Sequence, residues 1–170
     1  MKLDMLQVTK TFYATVSIKH NVMEFDELEG EDLEDIAKKI QTMEIRGAAK
    51  IARAGALALK RVVEDYEGDD AEELRSKMER GAEILRSTRP TAVSLENAID
   101  QVMIEEYEGA DDLKNGISNR ASNFIERSLE AKDKIAEYGG KRIAEGDVIL
   151  THCNSSMAIG AIKYSWDQGK

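Results

Sequence analysis

The sequence has few of the residues that mark disulfide-bonded, metal-binding or membrane-spanning proteins. Among 170 residues there are one cysteine, Cys153, and two histidines, so no internal disulfide can form and no zinc or other metal site is expected. No apolar run approaches the roughly 20 residues that cross a bilayer, and the start of the chain lacks the apolar centre of a signal peptide. These absences predict a cytoplasmic protein without a membrane partner.

Proline and aromatic residues are also scarce. Proline occurs once and aromatic residues make up 5% of the chain, whereas Ala, Leu, Ile, Glu, Lys and Arg, which have high helix propensity or suit a helical core, are abundant. The composition therefore predicts a mostly α-helical fold. The net charge of -9 argues against a nucleic-acid partner, because binding to the phosphate backbone requires a surplus of Lys and Arg on one face.

Apolar residues recur at spacings of three and four in five successive segments, which is typical of amphipathic helices. The predicted helices cover residues 31–43, 48–66, 71–87, 90–103 and 113–138. Pro90 is expected in the first turn of the fourth helix, and Gly139 with Gly140 at the end of the fifth. Gly55, inside the second helix, predicts a tight contact with a neighbouring helix.

The two ends of the chain have a different character. Residues 6–19 are rich in β-branched and aromatic side chains and are a possible strand. Residues 147–153 form an apolar run before a polar turn and a further helix, the pattern that opens a parallel α/β sheet. One strand cannot form a sheet, so we expect a truncated chain. The predicted divisions are an extension (1–30), a helical N-terminal domain (31–142) and the start of an incomplete Rossmann-like α/β domain (143–170).

Cys153 lies where the predicted apolar strand meets the following helix, the position at which open parallel sheets gather functional groups. A thiol beside the unpaired amides of a helix N-terminus has its thiolate stabilised and can act as a base or nucleophile. The alternative is an inert buried thiol. His152 is not expected to pair with Cys153, since consecutive strand residues point to opposite faces.

Three other places could bind a phosphate. Asn154, Ser155 and Ser156 supply a cap and backbone amides at a helix start, although simple N-capping explains them equally well. Residues 46–49, Arg-Gly-Ala-Ala, combine a guanidinium with a glycine that lets a ligand approach the backbone, although a solvated helix start is the alternative. Arg89 lies just before Pro90, in a loop that a second phosphate could reach.

Three ordered motifs together resemble a known family. They are Met43-Glu44-Ile45-Arg46-Gly47-Ala48, then Arg89-Pro90-Thr91-Ala92-Val93-Ser94-Leu95, then Gly146-Asp147-Val148-Ile149-Leu150-Thr151-His152-Cys153-Asn154-Ser155. The chain resembles the archaeal ribose-1,5-bisphosphate isomerases from about residue 31 to residue 170. Their superfamily also includes methylthioribose-1-phosphate isomerase and the alpha, beta and delta subunits of translation initiation factor 2B. The leading 30 residues do not match the family.

The resemblance implies an aldose-ketose isomerase that converts ribose 1,5-bisphosphate to ribulose 1,5-bisphosphate in nucleotide salvage, with no metal or organic cofactor. It implies that Cys153 takes a proton from the sugar. Substrate phosphate and sugar oxygens would be held by Arg46, Gly47, Ala48, Ala49, Arg89, Ser155, Ser156 and Met157. In the family an aspartate returns a proton at the adjacent carbon. Because that aspartate would lie beyond Lys170, we expect the 170-residue chain to be inactive.

The superfamily leaves two alternatives open, because fold similarity does not settle activity. One is a regulatory protein related to the initiation factor subunits, which would have no use for an activated thiol at Cys153. The other is methylthioribose-1-phosphate isomerase, which would have similar Arg and Cys positions. The resemblance also implies that the complete protein is a homo-oligomer in which dimers form a hexamer.

Overall fold

The structure, a computed structural model, describes residues 28, 30–104, 106–151 and 155–170. The possible strand at residues 6–19 lies outside these residues. The described part is built of α-helices joined by short turns, as the composition predicts. In chain order the helices are α1 (Leu33–Gln41), α2 (Ala48–Glu64), α3 (Ala71–Thr88), α4 (Val93–Val102), α5 (Ala110–Lys141) and α6 (Ser156–Asp167).

Helix α2 is the centre of the core and packs against α1, α3, α4 and α5. Every residue of α2 from 51 to 59 is buried, which is possible because most of them are small and let neighbouring backbones approach. A Cβ atom added at Gly55 would lie 2.4 Å from Leu95 Cδ1 of α4. The predicted tight contact at Gly55 is therefore present, and it joins α2 to the first turn of α4.

Side chains of the surrounding helices complete this core at the predicted spacings. Leu74, Met78 and Leu85 of α3 are fully buried, as are Ile99 and Val102 of α4. Burial of such side chains stabilises the fold by about 1.5–3 kcal/mol each. Val93 is an exception to the predicted pattern, because 70% of its surface is exposed.

The predicted end of α5 at Gly139 and Gly140 is wrong. The helix continues through both glycines to Lys141. A Cβ atom at Gly139 would lie 2.8 Å from Ala161 Cβ, and one at Gly140 would lie 2.6 Å from Tyr164 Cδ1. The two glycines thus allow α6 to pack closely on the last turns of α5, rather than ending the helix.

The expected position of Pro90 in a helix is also wrong. Helix α3 ends at Thr88, and residues 89–92 form a turn in which the Ala92 amide donates to the Arg89 carbonyl oxygen at 2.9 Å. Helix α4 begins at Val93, three residues after Pro90. The bend expected at Arg89 and Pro90 is present.

The expected strand at residues 147–153 is not found in the part of that segment that the structure describes. Residues 147–151 are in neither a helix nor a strand, and residues 152–154 lie outside the described ranges. Val148 and Leu150 expose 80% and 97% of their surface. An extended segment forms a strand only when a second segment pairs with its backbone groups, and the described chain provides none.

Candidate functional site

The position of the candidate site follows from how α2 and α6 pack along the long helix α5. Helix α2 runs antiparallel to α5. Arg53, near the start of α2, donates from Nη1 to Ser128 Oγ at 3.1 Å, whereas Gly68, beyond its end, accepts at 2.9 Å from Lys114 Nζ. In these contacts, higher residue numbers at α2 face lower residue numbers in α5. The start of α2 therefore lies beside the C-terminal half of α5.

Helix α6 runs parallel to α5. A Cβ atom added at Gly160 would lie 3.3 Å from Ala136 Cβ, and one at Gly140 would lie 3.0 Å from Tyr164 Cβ. The numbers of the paired residues rise together along both helices. The segment that connects the two helices contains residues 147–151.

These two registers bring the starts of α2 and α6 to the same level. Ala48 precedes Arg53 by five residues, so the antiparallel register places the start of α2 near residue 133 of α5. Ser156 precedes Gly160 by four residues, so the parallel register places the start of α6 near residue 132. At a rise of about 1.5 Å per residue, the two levels differ by about 1.5 Å along α5.

The two helices also lie on the same side of α5. At about 100° per residue, the α5 residues that make these contacts fall within about 120° of its circumference. They are Lys114, Ser128, Ala136, Gly139 and Gly140. From these registers we infer that α2 and α6 start near one level of α5 and run in opposite directions from it. Both termini carry the positive end of a helix dipole, so the region between them favours an anion.

The start of α2 is open to a ligand. Gly47 is the N-cap residue and has φ +95°, a conformation that glycine adopts far more easily than other residues. A Cβ atom there would meet nothing within 4 Å, and no side chain among the described residues caps the helix. Arg46 and Ala48 are exposed and Ala49 is half-buried. The guanidinium and the first amides of α2 are thus available to a phosphate.

The start of α6 is capped by its own serine. The Ser155 Oγ accepts from the Ala158 amide at 3.4 Å, which is the capping role that the sequence predicts. Ser156 is exposed and Met157 is half-buried, and their amides lie in the first turn ahead of the capped position. Capping by Ser155 leaves these two amides directed out of the helix end.

Arg53 is the only charged residue that is buried among the residues the structure describes, with 5% of its surface exposed. Its Nη1 donates to the neutral Ser128 hydroxyl, and its Nε is buried without a hydrogen-bond partner. No carboxylate in the described ranges lies within ion-pair distance of it. Burial lowers the pKa of the Arg53 guanidinium, but arginine stays charged at neutral pH.

Arg89 lies outside this cluster in the described contacts. It is half-buried at the end of α3, and the following turn is fixed by the contact of Leu95 with Gly55 of α2. Arg86 braces the same turn, since it donates to Glu96 Oε1 and to Asp100 Oδ1, each at 2.8 Å. Within the described residues, no hydrogen bond joins Arg89 to the starts of α2 or α6.

Cys153 and Asn154 lie outside the described residues, so the thiol proposed as the base has no geometry here. In sequence, Cys153 comes two residues before Ser155, the cap of α6. Sequence reasoning missed Arg53, because an arginine in an Ala-rich helix looks like an exposed residue. Its apolar neighbours Ala52 and Ala54 do not distinguish it from other positions of the helix, and its partner Ser128 lies 75 residues further along the chain.

The described residues support neither a phosphate site in the groove beside α5 nor a metal site. A groove of about 490 Å³ between α2 and α5 is rimmed by Glu126, Glu130 and Asp133, whose charges would repel a phosphate. Among the described residues, no group of His, Cys, Asp and Glu side chains could hold a metal ion. None of the described helices is long and apolar enough to cross a membrane.

The sequence matches the initiation factor 2 subunit family over residues 44–170, and the chain belongs to this family. The family resemblance of its motifs is thereby confirmed. The chain is 48% identical, over 142 residues, to ribose 1,5-bisphosphate isomerase from Thermococcus kodakarensis; the match covers 80% of this chain and 44% of that protein. The chain thus spans somewhat less than half the length of the curated relatives that it matches.

Two solved structures share the fold. 5-Methylthioribose 1-phosphate isomerase from Pyrococcus horikoshii OT3 has a TM-score of 0.69 and 30% identity, covering 81% of this chain and 42% of that one. The delta subunit of the translation initiation factor eIF-2B from A. fulgidus has a TM-score of 0.68 and 30% identity, covering 82% of this chain and 44% of that one. Both likenesses extend through most of the described helices.

Proposed function

We propose that the protein contributes the phosphate-binding half of an isomerase that converts ribose 1,5-bisphosphate to ribulose 1,5-bisphosphate. The proposal is supported by the contacts of α2 and α6 with α5, from which we infer that the start of α2 with Arg46 and the start of α6 with Ser155 lie near one level of α5. Backbone amides and a guanidinium are the groups that bind phosphate. The Thermococcus kodakarensis relative carries this activity in its name.

Within this proposal each residue has a role. Arg46 and the amides of residues 47–49 hold one phosphate, and the amides of Ser156 and Met157 approach from the opposite helix. Ser155 keeps α6 in place through its cap. Arg89 is proposed to bind sugar or phosphate oxygens when the substrate brings its turn and the helix starts together. No metal or organic cofactor has a role.

Cys153 is proposed as the base. An aldose becomes a ketose when a proton leaves C2 and a proton is added at C1, so the reaction needs a group that accepts the first and a group that donates the second. A thiolate ahead of the N-terminus of α6 would be stabilised by the helix dipole. The second group is expected outside the 170 residues, so the chain alone should not turn over.

We also propose the larger organisation implied by the family. Residues 31–142 would form a helical domain, preceded by an extension of residues 1–30. Residues 143–170 would begin a Rossmann-like α/β domain, in which the exposed apolar residues 148–150 pair as a strand. The protein is proposed to be cytoplasmic and to form a homo-oligomer of dimers assembled into a hexamer.

The test is isomerase activity on ribose 1,5-bisphosphate, measured as ribulose 1,5-bisphosphate formed. The protein is expressed together with any sequence that follows Lys170 in its gene, and Cys153→Ser is the matched control. We expect activity in the first and a loss of at least 100-fold in the second, which is the usual contribution of a positioned base.

Two alternatives remain as outcomes of this test. A folded protein that acts on methylthioribose 1-phosphate instead would be related in function to the Pyrococcus horikoshii structure. One that is inactive on both sugars would favour the regulatory reading suggested by the initiation factor structure. Cys153→Ser distinguishes an enzyme from a regulatory protein. The substitution should abolish the activity of an isomerase, whereas it should not alter the function of a purely regulatory protein.

A further inference from the structure

The charge of Arg53 has no use in the packing of the core. Among the described residues, its guanidinium is bound only by a neutral hydroxyl and no carboxylate pairs with it. A buried charge without an opposite charge retains most of the cost of leaving water. A methionine or leucine of similar size would fill the same space between α2 and α5 without that cost. The position therefore requires an explanation in which the charge acts on something else.

The direction of Arg53 indicates where the charge acts. Side chains of a helix tend to lean towards its N-terminus, which for Arg53 is the direction of Ala49, one turn earlier on the same face of α2. Its partner Ser128 lies only about four residues, or about 6 Å along the axis, from the level at which the starts of α2 and α6 meet. The buried charge thus lies near the two helix starts and adds to the potential of their dipoles.

The burial of Arg53 strengthens the effect of its charge on the helix starts. A charge at the surface is screened by water and salt over about 8 Å, whereas a charge that is 5% exposed is screened much less. Among the described residues the nearby helix starts contribute no acidic residue in the first turn of α2 or of α6. On α5, however, Glu130 and Asp133 rim the adjacent groove near the same level, and their negative charges oppose this potential. The buried charge of Arg53 acts against theirs.

We propose that Arg53 is a positioning residue of the phosphate site, whose buried charge binds the anion through the field at the starts of α2 and α6. It acts through the amides of the two helix starts and need not touch the phosphate. This inference rests on the proposed function only in taking a phosphate group as the anion.

The experiment measures the binding of inorganic phosphate to the 170-residue chain by calorimetry, together with its thermal unfolding. Arg53→Met removes the charge and keeps the volume. Arg61→Met is the matched control, since it removes the same charge from the same helix at a site where Arg61 pairs with Glu64 at 3.0 Å. Arg53→Lys keeps the charge and loses the planar guanidinium.

We expect Arg53→Met to weaken phosphate binding about tenfold and to unfold at the same temperature as the wild type or higher. Arg53→Lys should restore most of the affinity, and Arg61→Met should bind as the wild type does. In the full-length enzyme, Arg53→Met should raise KM for the bisphosphate more than it lowers kcat.

The inference is overturned if Arg53→Met binds phosphate normally but unfolds at a much lower temperature, because Arg53 would then be a structural ion-pair partner. It is equally overturned if the wild type binds no phosphate. If phosphate binding depends on Arg53 while the full-length protein isomerises neither sugar, the role of Arg53 stands and the proposed function fails.

Discussion

Gly140 of α5 lies directly against Tyr164 of α6, and a Cβ atom there would be 2.6 Å from the Tyr164 ring and 2.8 Å from the Ala161 carbonyl oxygen. This contact sets the distance between the two helices. Since α6 packs mainly on α5, it also sets where the start of α6 lies relative to the start of α2. The candidate site thus depends on Gly140, which lies about 12 Å along the α5 axis from the level of the two helix starts.

Gly140→Ala is expected to destabilise the packing of α6 by about 1–3 kcal/mol, because the backbone oxygen of Ala161 cannot turn away. The better helix propensity of Ala offsets up to about 1 kcal/mol of this loss. The measurement is urea denaturation followed by the fluorescence of Trp166, the sole tryptophan, which lies on α6.

Gly116→Ala is the control for Gly140→Ala. Its Cβ would meet only the terminal methyl of Ile104 at 2.7 Å, which can rotate aside. It should change stability by less than about 1 kcal/mol. A Gly140→Ala protein as stable as the wild type would contradict the packing of α6 described here.

Asp70→Ala is expected to lower the free energy of unfolding by about 0.5–2 kcal/mol. Asp70 Oδ1 accepts from the Glu72 and Glu73 amides at 2.9 and 3.1 Å and so caps α3. Asp69→Ala removes the same charge one residue earlier, where no cap bond is made, and should be nearly neutral. Thermal unfolding by circular dichroism compares the two, and equal losses would exclude the capping role.

Tyr66→Phe is expected to reduce stability at pH 8 and to lose this disadvantage at high pH. Burial of the Tyr66 ring raises the pKa of its hydroxyl, with a further contribution from its hydrogen bond to Glu73 at 3.1 Å. A raised pKa means that the folded state holds the proton more tightly than the unfolded state. The stabilisation is therefore complete below the unfolded pKa of 10.0 and is lost as the pH rises through the folded value.

The measurement for Tyr66 is the difference in unfolding free energy between the wild type and Tyr66→Phe at pH 8 and at about pH 11. The same measurement on Tyr138→Phe, at a residue with 64% of its surface exposed, is the control. A difference for Tyr66 that does not shrink as the pH rises would show that its hydroxyl is not buried in the folded protein.

Gly47→Ala is expected to lower both stability and phosphate binding. Its φ of +95° would strain an alanine by about 1–3 kcal/mol, although space for the methyl exists. Gly30→Ala imposes a similar strain at φ +83°, away from the helix starts, and should lower stability alone. Unfolding by urea and phosphate calorimetry on both variants make the comparison. Loss of phosphate binding in both would assign the effect to general destabilisation.

Much of the fold could be predicted from the sequence because its helices have regular apolar spacing. Leu74, Met78 and Leu85 follow this spacing within the predicted helix 71–87 and are buried. The errors came where local preference and packing disagree. Gly139 and Gly140 look like a helix end, but tertiary contact with α6 uses their missing side chains.

The candidate site was predictable as a set of motifs and not as an arrangement. Residues 46–49 and 154–156 stood out through glycine, arginine and capping residues, whereas Met157 was implied only by the family resemblance. That they meet depends on opposite registers along α5, which local sequence does not encode. Arg53 could not be singled out, because its burial arises from α5, 75 residues further along the chain.

The most direct test of the account is a titration of the isotope-labelled protein with inorganic phosphate, followed by the amide resonances of Ala48, Ala49, Ser156 and Met157. The account predicts that all four shift with one dissociation constant, while the amides of Glu72 and Glu73, capped by Asp70, do not move. Shifts at one helix start only, or with two unrelated constants, would contradict a single phosphate site between α2 and α6.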